Sequence, residues 1–274
     1  MMKILVADPV SEAGVALLRQ EHEVDVKLKL PAEELIRLIP AYGALVVRSE
    51  TKVTKAVIEA ADCLKVIGRA GVGVDNIDVE AATRRGIIVL NAPEGNTVAA
   101  TEHTLAMMLA LARNIPQAHH SLAQGEWQRG KFTGVEVRGK TLGILGLGRI
   151  GTGVARRAAA MEMRILAYDP FISEEQAKTV GIELTELEEI LAQADFLTLH
   201  LPLTAETRQL LNAEAFQKVK PGIRIVNCAR GGIIDEAALA RAIEAGQVAG
   251  AAIDVFETEP VRPDNPLLKL DRVI

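Results

Sequence analysis

The stretch Thr141-Leu142-Gly143-Ile144-Leu145-Gly146-Leu147-Gly148-Arg149-Ile150-Gly151 decides the fold. Thr141–Leu145 is a short apolar run with strand character, and Ile150–Met161 has a helical pattern. Between them the glycines follow a G-x-G-x-x-G spacing. The first glycine permits a tight turn, the second lets a pyrophosphate approach the backbone, and the third lets the helix pack on the strand. Phosphates then meet the amino end of the helix. A second strand, Arg164–Tyr168, ends at Asp169, 23 residues after Gly146. A ribose-binding acid is expected about 20 residues along. A carboxylate there accepts hydrogen bonds from ribose hydroxyls and repels a 2′-phosphate. Pro170, Phe171 and Ile172 follow, with no cation to hold one, so the reading favours NAD over NADP. The alternative for Asp169 alone is an Asx turn before Pro170.

Working outward, strands and helices alternate along the chain. Strands are expected at Lys3–Ala7, Glu23–Leu28, Ala44–Arg48, Leu64–Gly68 and Ile87–Asn91, with helices at Ser11–Gln20, Pro31–Ile39, Thr54–Ala61 and Val79–Arg85. Turn formers from Asn91 to Asn96 mark a boundary, giving domains 1–93 and 94–274. A long helix, Thr97–Arg113, follows, capped by Asn96 or Thr97, with Leu105, Met108, Leu109 and Ala112 at helical spacing. Beyond a polar stretch around 124–134, helices at Leu187–Ala194, Ala213–Val219 and Glu236–Ala245 separate strands at Phe196–Leu201, Arg224–Asn227 and Gly250–Val255. Arg272-Val273-Ile274 opens another strand. Such alternation implies an α/β fold with parallel sheets and right-handed crossovers.

Composition narrows the function. In 274 residues, 49% are hydrophobic and 24% charged, as in ordinary globular domains. The net charge of −5, without a basic block, argues against nucleic acid. No uncharged apolar run approaches a membrane span and no targeting segment is evident, so a cytoplasmic protein is expected. Cys63 and Cys228 sit in apolar runs and read as free thiols. There is no H-x-x-x-H or C-x-x-C spacing and no close cluster of carboxylates with a histidine, so no metal is expected. Of the histidines, His22, His119 and His120 read as solvated. His103 lies on the long helix, and His200, ending a strand, is the one that tempts as a general base, although a strand-end histidine with no acid beside it is more often structural.

Two strand ends carry polar residues where open α/β folds bind ligands. Asn227-Cys228-Ala229-Arg230-Gly231-Gly232 sets an arginine fork among small residues, suited to a carboxylate. A surface arginine before a loop is the even alternative. Asp254 to Pro260 ends the next strand in three acids, Asp254, Glu257 and Glu259. One of these could orient a catalytic base, although a solvated acidic loop is the commoner outcome.

Together with Val47-Arg48-Ser49, the run Gly68 to Asp78 and Gly139 to Leu145, these segments resemble the D-isomer-specific 2-hydroxyacid dehydrogenases. Within that family the resemblance points to the branch that oxidises 3-phospho-D-glycerate to 3-phosphohydroxypyruvate, the first step of the phosphorylated route to L-serine. It implies a Rossmann-type doubly wound parallel sheet that binds NAD and a smaller flavodoxin-like parallel α/β domain that binds the small-molecule substrate. It implies that Arg230 holds the substrate carboxylate, that Glu259 pairs with a catalytic histidine, and that Asp254 holds the nicotinamide carboxamide. Cys228 and Ala229 would line that side through their backbone, and Arg149 and Ile150 would present backbone amides to the pyrophosphate. The amides of Val72 and Gly73 would meet the substrate carboxylate, with Arg48, Arg69 and Asn96 at the phosphate end; Val72 stands where close relatives carry threonine. The resemblance further implies a homodimer through the NAD domain, held by the stretch 118–134. The family's catalytic histidine lies a few residues past Arg272-Val273-Ile274, in a turn this sequence does not contain. A truncated form of a larger enzyme, of low turnover, is therefore expected. Other D-2-hydroxyacids, or a non-catalytic NAD-binding module, are the competing readings.

Overall fold

The computed structural model describes residues 1–179 and 181–274, and the chain divides into two compact units, Met1–Asn96 and Thr97–Ile274. In the first, β1 (Lys3–Val6), β2 (Glu23–Val26), β3 (Ala44–Val47), β4 (Val66–Arg69) and β5 (Ile88–Asn91) form a parallel sheet in the order β2-β1-β3-β4-β5. This is the flavodoxin-like doubly wound order. The intervening helices are α1 (Glu12–Arg19), α2 (Ala32–Leu38), α3 (Lys55–Glu59) and α4 (Val79–Arg84). Short polar side chains start two of them: Ser11 Oγ accepts from the Gly14 amide and Asp78 Oδ1 from the Ala81 amide. Pro31, expected inside α2, stands one residue before it.

The second unit opens with α5 (Thr97–Arg113) and α6 (Ile115–Ala123). Next come β6 (Thr141–Leu145), α7 (Arg149–Ala160), β7 (Arg164–Tyr168), α8 (Glu174–Thr179), β8 (Glu183–Leu184), α9 (Leu187–Gln193) and β9 (Phe196–Leu199). The series ends with α10 (Ala213–Lys218), β10 (Ile223–Asn227), α11 (Glu236–Glu244) and β11 (Val248–Ile253). The sheet order is β11-β10-β9-β6-β7-β8, all parallel, which is the Rossmann order with its switch point between β6 and β9. Residues 272–274 run alongside β11: Ile274 N donates to Ala251 O and Ile253 N to Ile274 O.

Both faces of this sheet are buried, and that is why its strands read as unbroken apolar runs. Leu145, Leu199 and Ile225 pack with α9, α10 and α11 on one face, while Leu142, Ile144 and Val226 pack with α5 and α7 on the other. Helix α5 packs against α7, β10 and β11. Its buried stripe is Leu105, Met108, Leu111 and Ala112, whereas Leu109 is exposed, one helical position off the stripe.

The structure departs from the sequence reading in several places. In the polar stretch 118–134, where the sequence shows no element, the first residues belong to α6 and Arg129–Phe132 form a 3₁₀ turn. Helix α8 and strand β8 fall where no element was expected; β8 is only two residues long, too short to show a periodicity. Cys63 lies exposed in the turn before β4, not in a strand. His22 is half-buried, with Nδ1 enclosed and without a hydrogen-bond partner. No helix among the described residues is long and apolar enough to cross a membrane.

At the amino edge of the second sheet, Asp195 ties three strands. Its Oδ2 accepts from the Thr141 amide at 2.9 Å, its Oδ1 from Lys220 Nζ at 2.8 Å, and its carbonyl from the Arg224 amide at 3.0 Å. Burial alone would raise this carboxyl, but the Lys220 ammonium and the Thr141 amide outweigh it and hold it below its ordinary 3.8. A carboxyl so depressed stabilises the fold fully above that ordinary value, and the contribution is lost as pH falls through the folded value. Asp195→Asn should therefore cost about 1–2 kcal/mol at neutral pH. In urea unfolding, the gap from wild type should close below the carboxylate range; a gap that persists at low pH would refute the ion pair as its source.

Candidate cofactor and substrate site

At the switch point the chain leaves β6 in the left-handed region, with Gly146 at φ +97°, and a Cβ there would lie 2.8 Å from the His200 carbonyl oxygen. Gly151, in the first turn of α7, is packed still closer: its Cβ would stand 2.0 Å from the Gly146 carbonyl oxygen. Gly148 differs, because a Cβ there would meet no atom within 4 Å. Two glycines thus allow the turn to close, and the middle one leaves an open face at the helix start. The first amides of α7, at Arg149 and Ile150, stand at the amino end of the helix, where amides point away from the helix body. A diphosphate fits this cradle in size and in sign.

Asp169, beyond β7, holds the cradle from the side. Its Oδ2 accepts from the Leu147 amide at 2.7 Å and its Oδ1 from the Phe171 amide at 2.9 Å. The second bond is the Asx turn that stands as the alternative to a binding role. The first joins the same carboxylate to the glycine loop.

At the carboxyl ends of β10 and β11 a buried amide organises the turns. Asn227 Oδ1 accepts from the Ala229 amide and its Nδ2 donates to the Arg230 carbonyl, both at 3.0 Å, while its own carbonyl accepts from the Asp254 amide. Arg230, half-buried, donates through Nη1 to the Ala229 carbonyl at 2.7 Å. The next residue, Gly231, lies so close to the segment after β11 that a Cβ would stand 1.8 Å from the Phe256 carbonyl oxygen. That approach sets the Arg230 turn against the turn that carries Glu259, whose Oε1 accepts from the Phe256 amide at 3.1 Å. The Glu259–Pro260 peptide is cis. Glu257 and Glu236 accept from each other's backbone amides, which ties this turn to the start of α11.

The fold also brings together three residues that lie far apart in the sequence. His103 on α5, Cys228 after β10 and Asp254 after β11 converge, with His103 Nε2 at 3.3 Å from Asp254 Oδ1 and one ligand atom of each within 4.8 Å of the others. Burial, with the Asp254 charge adding to it, pushes the Cys228 thiol up to about 11. His200, in contrast, sits at the switch point with Nε2 at 3.2 Å from Thr198 Oγ1, and burial lowers it to about 4. It is neutral near pH 7 and holds a structural hydrogen bond.

The first unit has its own switch point between β1 and β3. Asp8, buried after β1, accepts from the amides of Arg48 and Thr51 and from the Thr51 hydroxyl, at 2.6, 3.1 and 2.5 Å. Asn76 Nδ2 donates to the carbonyls of Arg48 and Thr51 at 2.7 Å each. Arg48 follows Val47, whose register partner on β4 is Arg69, so the two arginines leave adjacent strand ends. The loop after β4 carries Val72 and Gly73, and Asn91 Nδ2 donates to the Val72 carbonyl at 2.6 Å. Asn96, exposed, precedes α5 and is the last residue of this unit.

The chain belongs to the D-isomer specific 2-hydroxyacid dehydrogenase family: residues 105–274 match the model of that family's NAD binding domain. The cofactor is NAD. A curated relative from Archaeoglobus fulgidus, named D-3-phosphoglycerate dehydrogenase, is 57% identical over 274 residues, covering 100% of this chain and 52% of its own length. The chain therefore spans about half the length of the curated relatives it matches. Among solved structures, the TT0316 protein of Thermus thermophilus superposes with a TM-score of 0.92 at 35% identity, covering 100% of this chain and 88% of that one. The NAD-dependent formate dehydrogenase of Staphylococcus aureus, solved in complex with NAD, gives 0.88 at 29% identity, covering 100% and 87%.

The glycine geometry separates folding from binding. Gly151→Ala should destabilise the second unit by about 1–3 kcal/mol, because the new methyl meets backbone that cannot yield. Gly148→Ala, at φ −63° and facing open space, should melt like wild type. It should nevertheless bind NAD at least about tenfold more weakly, as the methyl takes the face a diphosphate would approach. Unchanged NAD affinity in Gly148→Ala by calorimetry would show that the phosphates do not cross that face.

Proposed function

We propose that this chain serves the NAD-dependent oxidation of 3-phospho-D-glycerate to 3-phosphohydroxypyruvate. The observation that carries the proposal is the meeting, at the carboxyl edge of one parallel sheet, of an open glycine cradle with an arginine turn held by Asn227 and Gly231. The name borne by the relatives supports the choice of substrate.

In this reading NAD, when bound, accepts the hydride that leaves C2 of the substrate. Arg230 binds the carboxylate and the C2 oxygen through its planar fork, which holds the reacting carbon in place and stabilises the partial negative charge of the forming carbonyl. The hydroxyl proton needs a base, and Glu259 is the acid that orients and charges one. His200 is not that base, being engaged with Thr198 and desolvated. Asp254 holds the carboxamide of the cofactor, Cys228 and Ala229 line that end through their backbone, and Gly146, Gly148, Arg149, Ile150 and Gly151 hold the diphosphate. Asp169 takes the ribose hydroxyls and excludes a 2′-phosphate. In the first unit the amides of Val72 and Gly73 meet the substrate carboxylate, and Arg48, Arg69 and Asn96 take the phosphate end.

The protein acts as a cytoplasmic homodimer in this reading. Ile115, Leu122 and Trp127 are all strongly exposed within one short segment of the second unit, an apolar surface suited to burial against a second copy. Sedimentation equilibrium should return a dimer at micromolar concentration and a weakened one for Trp127→Ala; a wild-type monomer would contradict the reading.

Calorimetry tests the ligand assignments together. With NADH present, 3-phosphoglycerate should bind about tenfold or more tightly than glycerate, since a phosphate adds charge-assisted hydrogen bonds. Arg48→Gln should shrink that advantage. NAD should bind more tightly than NADP, and Asp169→Ala should narrow the gap. Equal affinity for the two acids would remove the phosphorylated substrate from the proposal, and undiminished cofactor discrimination in Asp169→Ala would remove Asp169.

A further inference from the structure

The convergence of His103, Cys228 and Asp254 has a chemistry of its own. An imidazole nitrogen, a sulfur and a carboxylate oxygen come from three different elements and lie within 4.8 Å of one another. A tetrahedral zinc-class ion with bonds of about 2.0–2.3 Å holds its ligands about 3.3–3.8 Å apart. The His103–Asp254 pair already has that spacing, at 3.3 Å. The thiol reaches it by a side-chain adjustment of about 1 Å at most, given the ligand distances of such ions.

The scaffold around these groups is firm. Cys228 and Asp254 flank the buried Asn227, which bonds the Ala229 amide through its side chain and the Asp254 amide through its carbonyl. His103 stands on α5 between Thr101 and Thr104. Both are buried, and their hydroxyls donate to the carbonyls of Thr97 and Ala100. Two of the three candidate ligands are exposed, so an ion reaches them from solvent, while the half-buried thiol supplies the soft donor. Thiolate with imidazole selects zinc-class cations over magnesium or calcium, and three protein ligands leave a fourth position for water.

We propose that His103, Cys228 and Asp254 form a binding site for one zinc-class divalent cation, and that the bound cation keeps the nicotinamide end of NAD out. The second part rests on the reading of Asp254 as the carboxamide ligand. No electron moves: the thiol gives its proton to solvent, the sulfur, the imidazole nitrogen and the carboxylate oxygen bond the ion, and all but one of the waters in its shell leave. The site is thereby a brake on cofactor binding, distinct from catalysis.

The test uses the untagged chain, reduced, with zinc and cobalt salts as the probes. Calorimetry should show one zinc per chain. Cobalt should give a thiolate charge-transfer band that Cys228→Ser abolishes. His103→Gln and Asp254→Asn should each weaken zinc at least about tenfold, the scale on which losing one group of a site is felt, with thermal melts confirming that all three variants fold. The apparent Kd for NAD should rise in proportion to zinc in wild type and stay level in Cys228→Ser. Absence of stoichiometric binding, or binding that survives the three variants as it would at His119 and His120, overturns the site. Zinc bound with NAD affinity unchanged overturns the brake. Titration of NAD without metal checks the cofactor reading by itself, so the two failures are told apart.

Discussion

The Gly146 carbonyl stands where a side chain on Gly151 would have to be, and the second unit is arranged around that close approach. It lets α7 begin directly over the end of β6, which points the first amides of the helix at the space above the sheet. A parallel sheet needs such helices on both faces, and α7 also lies close to α5. A Cβ on Gly153 would stand 2.7 Å from Thr101 Oγ1, so the two helices meet almost backbone to side chain. One small-residue contact thus sets the cradle, and a second seats α5 beside it.

The same economy operates at the carboxyl ends of β10 and β11. Asn227 is a polar residue in a core position, and it is tolerated because its amide is engaged by the backbone of the Arg230 turn. Gly231 then admits the Phe256 backbone where any side chain would block it. An arginine, a cysteine and two acids reach one edge of the sheet by these local devices. A buried frame thereby sets the turns that carry these side chains.

The parts of this arrangement legible in the sequence are those written in local pattern. The β6 run, the glycine spacing and the helix after it state a doubly wound sheet before any packing is known, and Thr97–Arg113 and Arg164–Tyr168 begin and end where their periodicity says. What escaped has a physical reason in each case. Strand β8 is held by β7 rather than by its own two residues. Helix α6 starts at Asn114 in the left-handed region, with proline in its first turn, immediately after α5, so the break between the helices hides in a composition that reads as loop. Leu109 belongs to the apolar count of α5 but not to its buried face. The convergence of His103, Cys228 and Asp254 has no spacing rule at all, since strand order creates it.

Asp8 shows what such frames are worth to a ligand. The loop from Arg48 to Thr51 is fastened by one buried carboxylate and by Asn76, through the backbone groups of Arg48 and Thr51 and the Thr51 hydroxyl. Ordering a residue's backbone costs about 1–2 kcal/mol, and in this loop that cost is met during folding. An anion arriving at this strand edge meets a peptide path already at rest, so the entropy left to remove is that of side chains and not of the loop.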